Sequence, residues 1–321
     1  MSDEPGLTVV TGAAGFVGRG VARRMQQIGY QGPVRLVDRI TPPACGDYKV
    51  MRADLTDGEA LRSAVSGACK VIHLASLPGG AAEKDPCGSR RINLDVALNL
   101  IACLAERRHP VRFVYASSIA VLGGSLSDPV DDDTPANPQS IYGTHKRMVE
   151  LALSDASRRG PIDGFSLRLP GIVARPRGKD GLGSAFMSDI FWAIHGNQPY
   201  TLPVGAGATM WLMSAQCCAD NILHAAGLPR DEARPRTVTL PALRVSMADL
   251  IAAIVARSGD ARAIRYRPDP ATGRMFGSYP PLRTQAAEAL GFGHDQDIDA
   301  LVGNALMTAE ENGAVRESGL H

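Results

Sequence analysis

Tyr142-Gly143-Thr144-His145-Lys146 sets a phenol and an amine four residues apart at the start of a stretch with helical periodicity. At that spacing both side chains leave one face of a helix and point into the same cleft. An isolated tyrosine has a pKa of about 10 and is a poor base at neutral pH. A neighbouring ammonium favours the phenolate, so Tyr142 becomes a candidate base for a hydroxyl proton, with Lys146 holding the compensating charge. By itself the pair is a weak signal. It gains weight from Tyr115-Ala116-Ser117-Ser118, a strand that ends in two hydroxyls shortly before the helix.

A second constellation lies near the N-terminus. Thr11-Gly12-Ala13-Ala14-Gly15-Phe16-Val17-Gly18 follows one apolar run and opens an amphipathic one. In such a strand–turn–helix Gly12 permits the tight turn, Gly15 lets a pyrophosphate approach the backbone, and Gly18 lets the helix lie close to the sheet. The backbone of Ala14, Phe16 and Val17 at the helix start then offers N–H groups and a positive dipole end to phosphates. The next strand ends in Val37-Asp38. A carboxylate there accepts from both adenosine ribose hydroxyls and repels a 2′-phosphate, which favours NAD over NADP despite Arg19 and Arg39 nearby. Asp54 and Leu55, after a third strand, are placed for the adenine edge. Leu74 and Ala75, after His73 on a fourth, are placed to run beneath the ribose and phosphates. His73 itself reads as structural.

Groups so far apart in sequence need a scaffold, and the alternation of apolar runs with amphipathic stretches supplies it. Leu7-Thr11, Val34-Asp38, Tyr48-Arg52, Lys70-Leu74, Arg112-Ser117 and Gly164-Leu169 read as strands. Phe16-Ile28, Glu59-Val65, Arg90-Arg107 and Ser140-Arg159 read as helices, with Gly29, Gly67 and Gly160 at their stops and Pro110 after the third. Right-handed crossovers then give an α/β fold: a Rossmann-type doubly wound parallel sheet, followed by a smaller C-terminal substrate-binding lobe. The expected division is 1–174 for the NAD-binding domain, with 206–240 returning to it, and 175–321 for the lobe. Helices are expected there at Ser184-Ile194, Ser214-Ala226, Met247-Arg257 and near Thr284-Leu290.

Composition narrows the partners. The chain has 321 residues, 45% hydrophobic and 21% charged, with a net charge of +1, so nothing draws it to nucleic acid or an anionic membrane. A small-molecule partner is expected. The polar Met1-Ser-Asp-Glu-Pro5 start lacks the pattern of a signal peptide, and no apolar run of about 18 residues is present. A cytoplasmic location is expected. The six cysteines show no ligand spacing, so no metal is expected. Cys69 and Cys103 read as small buried hydrophobes, and Cys217-Cys218 as two positions on a helix wall.

Taken together, the glycine turn, Asp38, Asp54-Leu55, His73-Leu74-Ala75, Asn93, Ser117-Ser118 and Tyr142-x-x-x-Lys146 resemble an extended short-chain dehydrogenase over residues 7 to about 230. That resemblance implies that Ser118, five residues before Gly123, is the catalytic hydroxyl that orients the substrate, with Tyr142 and Lys146 completing the set. It implies that Asn93 supports the strand beside the site, and that Pro170 and Ile172 lie on the loop over the nicotinamide. Ile119-Ala120 follow Ser118 where the family's dehydratases carry two acids. Thr209 to Cys218 lacks the arginine with which its epimerases hold a pyrophosphate.

More narrowly, Ser118-Ile-Ala-Val-Leu-Gly-Gly, Leu167-Arg-Leu-Pro-Gly-Ile-Val-Ala-Arg-Pro, Trp211-Leu-Met-Ser and Tyr266-Arg-Pro-Asp-Pro are similar to the D-erythronate dehydrogenases. This implies NAD-linked oxidation of the C2 hydroxyl of a short aldonate to a 2-keto acid. The acid's carboxylate calls for a cation or several N–H donors. Arg175 and Arg177 are the candidates, with Ser76 and the backbone near Gly79-Gly80; Arg168, on its strand, reads as one half of a structural pair, and Trp211 as pocket wall or core. A nucleotide-sugar epimerase and a catalytically silent NAD(P)-binding regulator are the rival readings. The long helices at Arg90-Arg107 and Ser140-Arg159 are expected to make a homodimer contact of the kind that relatives form.

Overall fold

The architecture was obtained as a computed structural model, which describes residues 6–124, 126–177, 183–231 and 233–311. The N-terminal Met1–Pro5 segment considered above lies outside them. By compactness the chain forms two units: 1–123 with 136–169 and 219–239, and 124–135 with 170–218 and 240–321.

The first unit is built on a wholly parallel sheet of seven strands. In chain order it contains β1 (Leu7–Thr11), α1 (Phe16–Gln27), β2 (Val34–Asp38), β3 (Lys49–Arg52), α2 (Gly58–Ala64), β4 (Ala68–His73), α3 (Gly79–Lys84), α4 (Pro86–Ser89), α5 (Val96–Ala105), β5 (Val111–Ser118), α6 (Ile141–Arg158) and β6 (Ile162–Leu169). The strand order is β3-β2-β1-β4-β5-β6 with one further strand, Thr237–Thr239, outside β6. The order reverses between β1 and β4, and at such a switch point an open α/β sheet leaves a crevice at the carboxyl ends of its strands. Every candidate residue from Gly12 to Lys146 stands at or near that end. Strands β5 and β6 are buried almost throughout, as strands covered on both faces must be. Val9, Val71, Leu100, Phe113, Val149 and Ile162 belong to the resulting core.

The returning strand is held by a buried ion cluster. Asp163 on β6 accepts from Arg112 Nε at 2.9 Å and from Arg236 Nη1 at 3.2 Å, while Arg112 also donates to the carbonyls of Ala225 and Leu228. A buried charge is tolerable only when its bonding capacity is used in this way.

Two sequence readings change. The helix expected over Arg90-Arg107 starts earlier, at Pro86, because Asp85 caps Gly88 N–H and proline suits a first turn. It also contains a π-helical turn, Arg90–Asp95, before α5. Cys69 is exposed, not core, because it falls where the β1–β4 register slips beside Leu7, whereas the half-buried Cys103 packs against the core. By compactness the segment returning to the sheet is 219–239, and the preceding stretch of that unit ends at Leu169. Pro170 has no N–H with which to extend β6, and the chain starts a new sheet beyond it.

That sheet belongs to the second unit. It orders β7 (Gly171–Val173) and two further strands as β11-β9-β7, where β9 is Thr209–Ser214 and β11 is Leu243–Ser246. Around it lie α7 (Phe186–His195), β8 (Tyr200–Leu202), α8 (Ala215–Gly227, which leads into the first unit and to the returning strand β10), α9 (Met247–Ser258), β12 (Ile264–Tyr266), α10 (Pro270–Phe276), α11 (Gln285–Ala289) and α12 (Ile298–Glu311). Ile190, Phe191, Leu212, Leu250, Ile254 and Leu301 form its own apolar core. Among the described residues no helix is long and apolar enough to cross a membrane.

Candidate active site

The glycine turn between β1 and α1 is shaped by contacts that exclude side chains. Gly12 has φ +72°, and a β-carbon there would lie 2.5 Å from Ala75 N. A β-carbon on Gly18 would lie 2.1 Å from Gly12 O, so only glycine lets α1 turn back over the loop. Gly15 is exposed and would meet only Gly12 O within 4 Å, which leaves open space above it. It is also the N-cap of α1, which has no side-chain cap and no acid in its first turn. The half-buried Phe16 and Val17 follow. Asp38, ending β2, accepts from Ala14 N at 3.0 Å and Ile40 N at 3.2 Å. Four lone-pair sites serve two such bonds with capacity to spare for ribose hydroxyls. The cradle, the uncapped helix start and the acid together fit a dinucleotide.

Leu55 is buried under the loop after β3, whereas Asp54 is exposed. Its Oδ1 accepts from Thr56 N and Oγ1, bonds that hold its carboxyl below the usual range. Leu74 and Ala75 are half-buried, and Leu74 N donates to Thr11 O, tying the end of β4 to the glycine turn. Asn93, on the π turn, is buried with its amide fully engaged. Its Oδ1 accepts from Leu77 N at 2.6 Å and Ser76 Oγ at 3.1 Å, and its Nδ2 donates to Leu77 O and Ser89 Oγ. Asn93 and Ser76 are therefore brought together, with Asn93 as the clamp of the loop after β4. His73 is buried, its Nδ1 2.7 Å from Thr11 Oγ1 and its ring stacked on Tyr115. Burial first, and then the Lys146 charge, push its pKa down to about 3, so it is neutral.

Ser118, Tyr142 and Lys146 all belong to the first unit, at the end of β5 and on the first turns of α6. Ser140 caps that helix by accepting from Gly143 N at 3.0 Å. Lys146 is buried; its Nζ donates to Ala116 O at 2.6 Å and lies 5.4 Å from the centre of the Tyr142 ring and 4.8 Å from that of Tyr115. Burial pulls its pKa down to about 7, opposed by the charge of Glu150. The two serines differ. Ser117 Oγ is spent on Glu150 at 2.6 Å inside the core, while Ser118 is half-buried and caps the short 3-10 turn Ile119–Leu122 through Ala120 N. Arg168 grips Glu150 with two bonds of 3.0 Å, the structural pair expected of it.

Residues not singled out from the sequence also shape this site. Gly143 lets α6 approach the 3-10 turn: a β-carbon would sit 2.4 Å from Ala120 O. Glu83 of α3 accepts from Ile141 N at 2.7 Å. A glycine inside a helix and an acid on its apolar side, Glu150, were the available signals.

The remaining candidates lie in the second unit. Pro170 is buried and Ile172 half-buried at the start of the small sheet. Arg175 offers its carbonyl to Trp192 Nε1, and Arg177 is exposed with its guanidinium on Gln198 Oε1. Trp211 is core: it is buried, packs on Tyr279 and donates to Pro280 O at 2.8 Å.

A parallel sheet with a glycine turn on its first strand, an acid ending its second and a Tyr-x-x-x-Lys helix beside a serine-ended strand defines a nicotinamide-dependent oxidoreductase of the short-chain type. Residues 8–238 match the NAD dependent epimerase/dehydratase family, and the chain belongs to it. A D-erythronate dehydrogenase of Cupriavidus necator is 35% identical over 312 residues, covering 92% of this chain and 96% of the relative. One from Haemophilus influenzae is 30% identical, with 92% and 96% covered. Among solved structures, the nucleoside-diphosphate-sugar epimerase from Agrobacterium tumefaciens matches with a TM-score of 0.85 at 30% identity over 92% of both chains. L-threonine dehydrogenase from Clostridium difficile matches with a TM-score of 0.83 at 22% identity, over 96% of this chain and 98% of that one, and shares the fold.

Proposed function

We propose that this chain is a sugar-acid dehydrogenase that oxidises the C2 hydroxyl of a D-erythronate-like aldonate to the 2-keto acid. The observation that carries the reading is the buried Lys146 set against the Tyr142 ring one helical turn away, beside the end of a strand whose last residue, Ser118, is half-buried. In this reading Gly12, Gly15, Gly18 and Asp38 hold NAD, which when bound accepts the hydride from C2. Ser118 orients the substrate hydroxyl. Tyr142 takes its proton, because the charge of Lys146 stabilises the phenolate. His73, neutral and engaged with Thr11, takes no proton.

The two D-erythronate dehydrogenases, alike over nearly their whole length, support the sugar-acid substrate. So does Ile119-Ala120 after Ser118, which adds no second acid or base. Arg175 and Arg177 are the proposed partners of the carboxylate, and Ala substitutions at them are expected to raise KM more than they lower kcat. We also propose a homodimer through α5 and α6. The test of the activity is NADH formation with a panel of C4–C6 aldonates. Turnover of a four-carbon aldonate is the expected result; turnover of a nucleotide sugar and of no aldonate overturns the proposal in favour of an epimerase.

A further inference from the structure

Tyr142, Lys146 and Glu150 recur at intervals of four on α6 and so share one face. The third takes no part in the reaction described above, yet it is among the most completely buried acids of the chain, 1% exposed. Its Oε1 accepts from Ser117 Oγ at 2.6 Å and Arg168 Nε at 3.0 Å; its Oε2 accepts from Arg168 Nη2 and Arg147 Nη1, each at 3.0 Å. An apolar residue would pack α6 on the sheet without the desolvation cost of a carboxylate. What the carboxylate adds is a hold on Ser117. That residue lies between Ala116, whose carbonyl receives the Lys146 ammonium, and Ser118.

We propose that Glu150 is a positioning residue for the proton transfer: through Ser117 it fixes the end of β5, and through its charge it keeps Lys146 an ammonium beside Tyr142. The proposal rests on the assignment of Tyr142 and Lys146 made under the proposed function.

The charges around Lys146 give the idea a sign. Glu150 and Tyr142 face it from α6, Tyr115 from β5 and His73 from β4. Burial keeps both Tyr115 and His73 neutral, so Glu150 is the standing counter-charge, joined by Tyr142 only when that side chain is a phenolate. Arg168 on β6 and Arg147 on α6 face Glu150 in turn and offset part of its field. Removing the Glu150 charge therefore loosens the proton on Lys146, and removing the Arg147 charge tightens it. Arg147 is one-third exposed, so its effect is the smaller.

The test is an NMR titration of full-length NAD-free protein carrying labelled lysine, with the Lys146 resonance identified by its loss in Lys146→Met. The pH profile of kcat is followed in parallel. Glu150→Gln is expected to move the Lys146 midpoint down by about one pH unit, and the alkaline limb of kcat with it, with KM little changed. Arg147→Gln is expected to move both up by a fraction of that. Midpoints that stay at the wild-type value in both variants, with kcat merely lowered, overturn the proposal and leave Glu150 a packing residue. If Glu150→Gln does not fold, Arg147→Gln decides alone: an upward shift supports the proposal and no shift overturns it. Failure of the wider reading looks different, since an active Tyr142→Phe sinks the assignment of the base while the lysine titration remains readable.

Discussion

Lys146 meets two opposed demands. Burial favours its neutral form, and the chemistry proposed for Tyr142 needs the ammonium. Linkage gives the consequence for stability. The folded-state pKa of about 7 lies below that of an unfolded lysine, about 10.4. Between those values the unfolded chain binds more protons, so this group makes the NAD-free protein more stable as pH rises, and its full cost is present below pH 7. Lys146→Met should therefore raise the melting temperature most near pH 6, with a gain that shrinks towards pH 10. A gain independent of pH would show that the folded protein holds the Lys146 proton as tightly as the unfolded chain does. The companion change, Tyr142→Phe, should lower kcat by about 10²–10⁴-fold with NAD binding retained, measured by calorimetry. Residue types and spacing made this pair legible before any coordinates. That Ser117 is the serine spent inside the core was not readable from the sequence, because it rests on Ser117 meeting Glu150, a contact between residues 33 apart in sequence.

At the level of elements, Gly143 sets how closely α6 approaches the turn that follows β5. A β-carbon there would sit 2.4 Å from a backbone oxygen, which no side-chain motion relieves. Gly143→Ala should push the helix from Ser118, costing about 1–3 kcal/mol of stability and a larger share of kcat than of NAD affinity. Wild-type turnover together with a wild-type melting temperature would show that the approach is not needed. The strands and the helices from Phe16 to Arg159 were legible because their apolar periodicities are strong. The π turn at Arg90–Asp95 was not, since one extra residue per turn alters no residue type; only the folded chain shows that it carries Asn93, which meets Leu77. The helix Ile298–Glu311 was missed as well. Its apolar residues make sense only against a core assembled from distant strands.

Considered as a whole molecule, the chain shows why its first half was the easier to read. Its sheet is built largely from consecutive βα units, so local pattern and topology agree, whereas the small sheet joins strands at 171, 209 and 243 and has no local signature. The same view bears on assembly. Met148 and Leu151 of α6 are 45% and 55% exposed and lie three apart, on a different face from the buried Lys146 and Glu150. Solitary exposed apolar residues are ordinary, but two adjacent ones on a long helix form a stripe that a second copy can cover. A homodimer closed by a two-fold axis would set α5 and α6 of one protomer against the same pair of its partner. Sedimentation equilibrium should then give twice the mass of the 33.9 kDa chain at micromolar concentration. Leu151→Glu, which buries a charge at the centre of that contact, should shift the protein to monomer. Because Leu151 points away from the Tyr142 face, the monomer should keep NAD binding, and a wild-type protein that sediments as a monomer throughout would remove the contact from consideration.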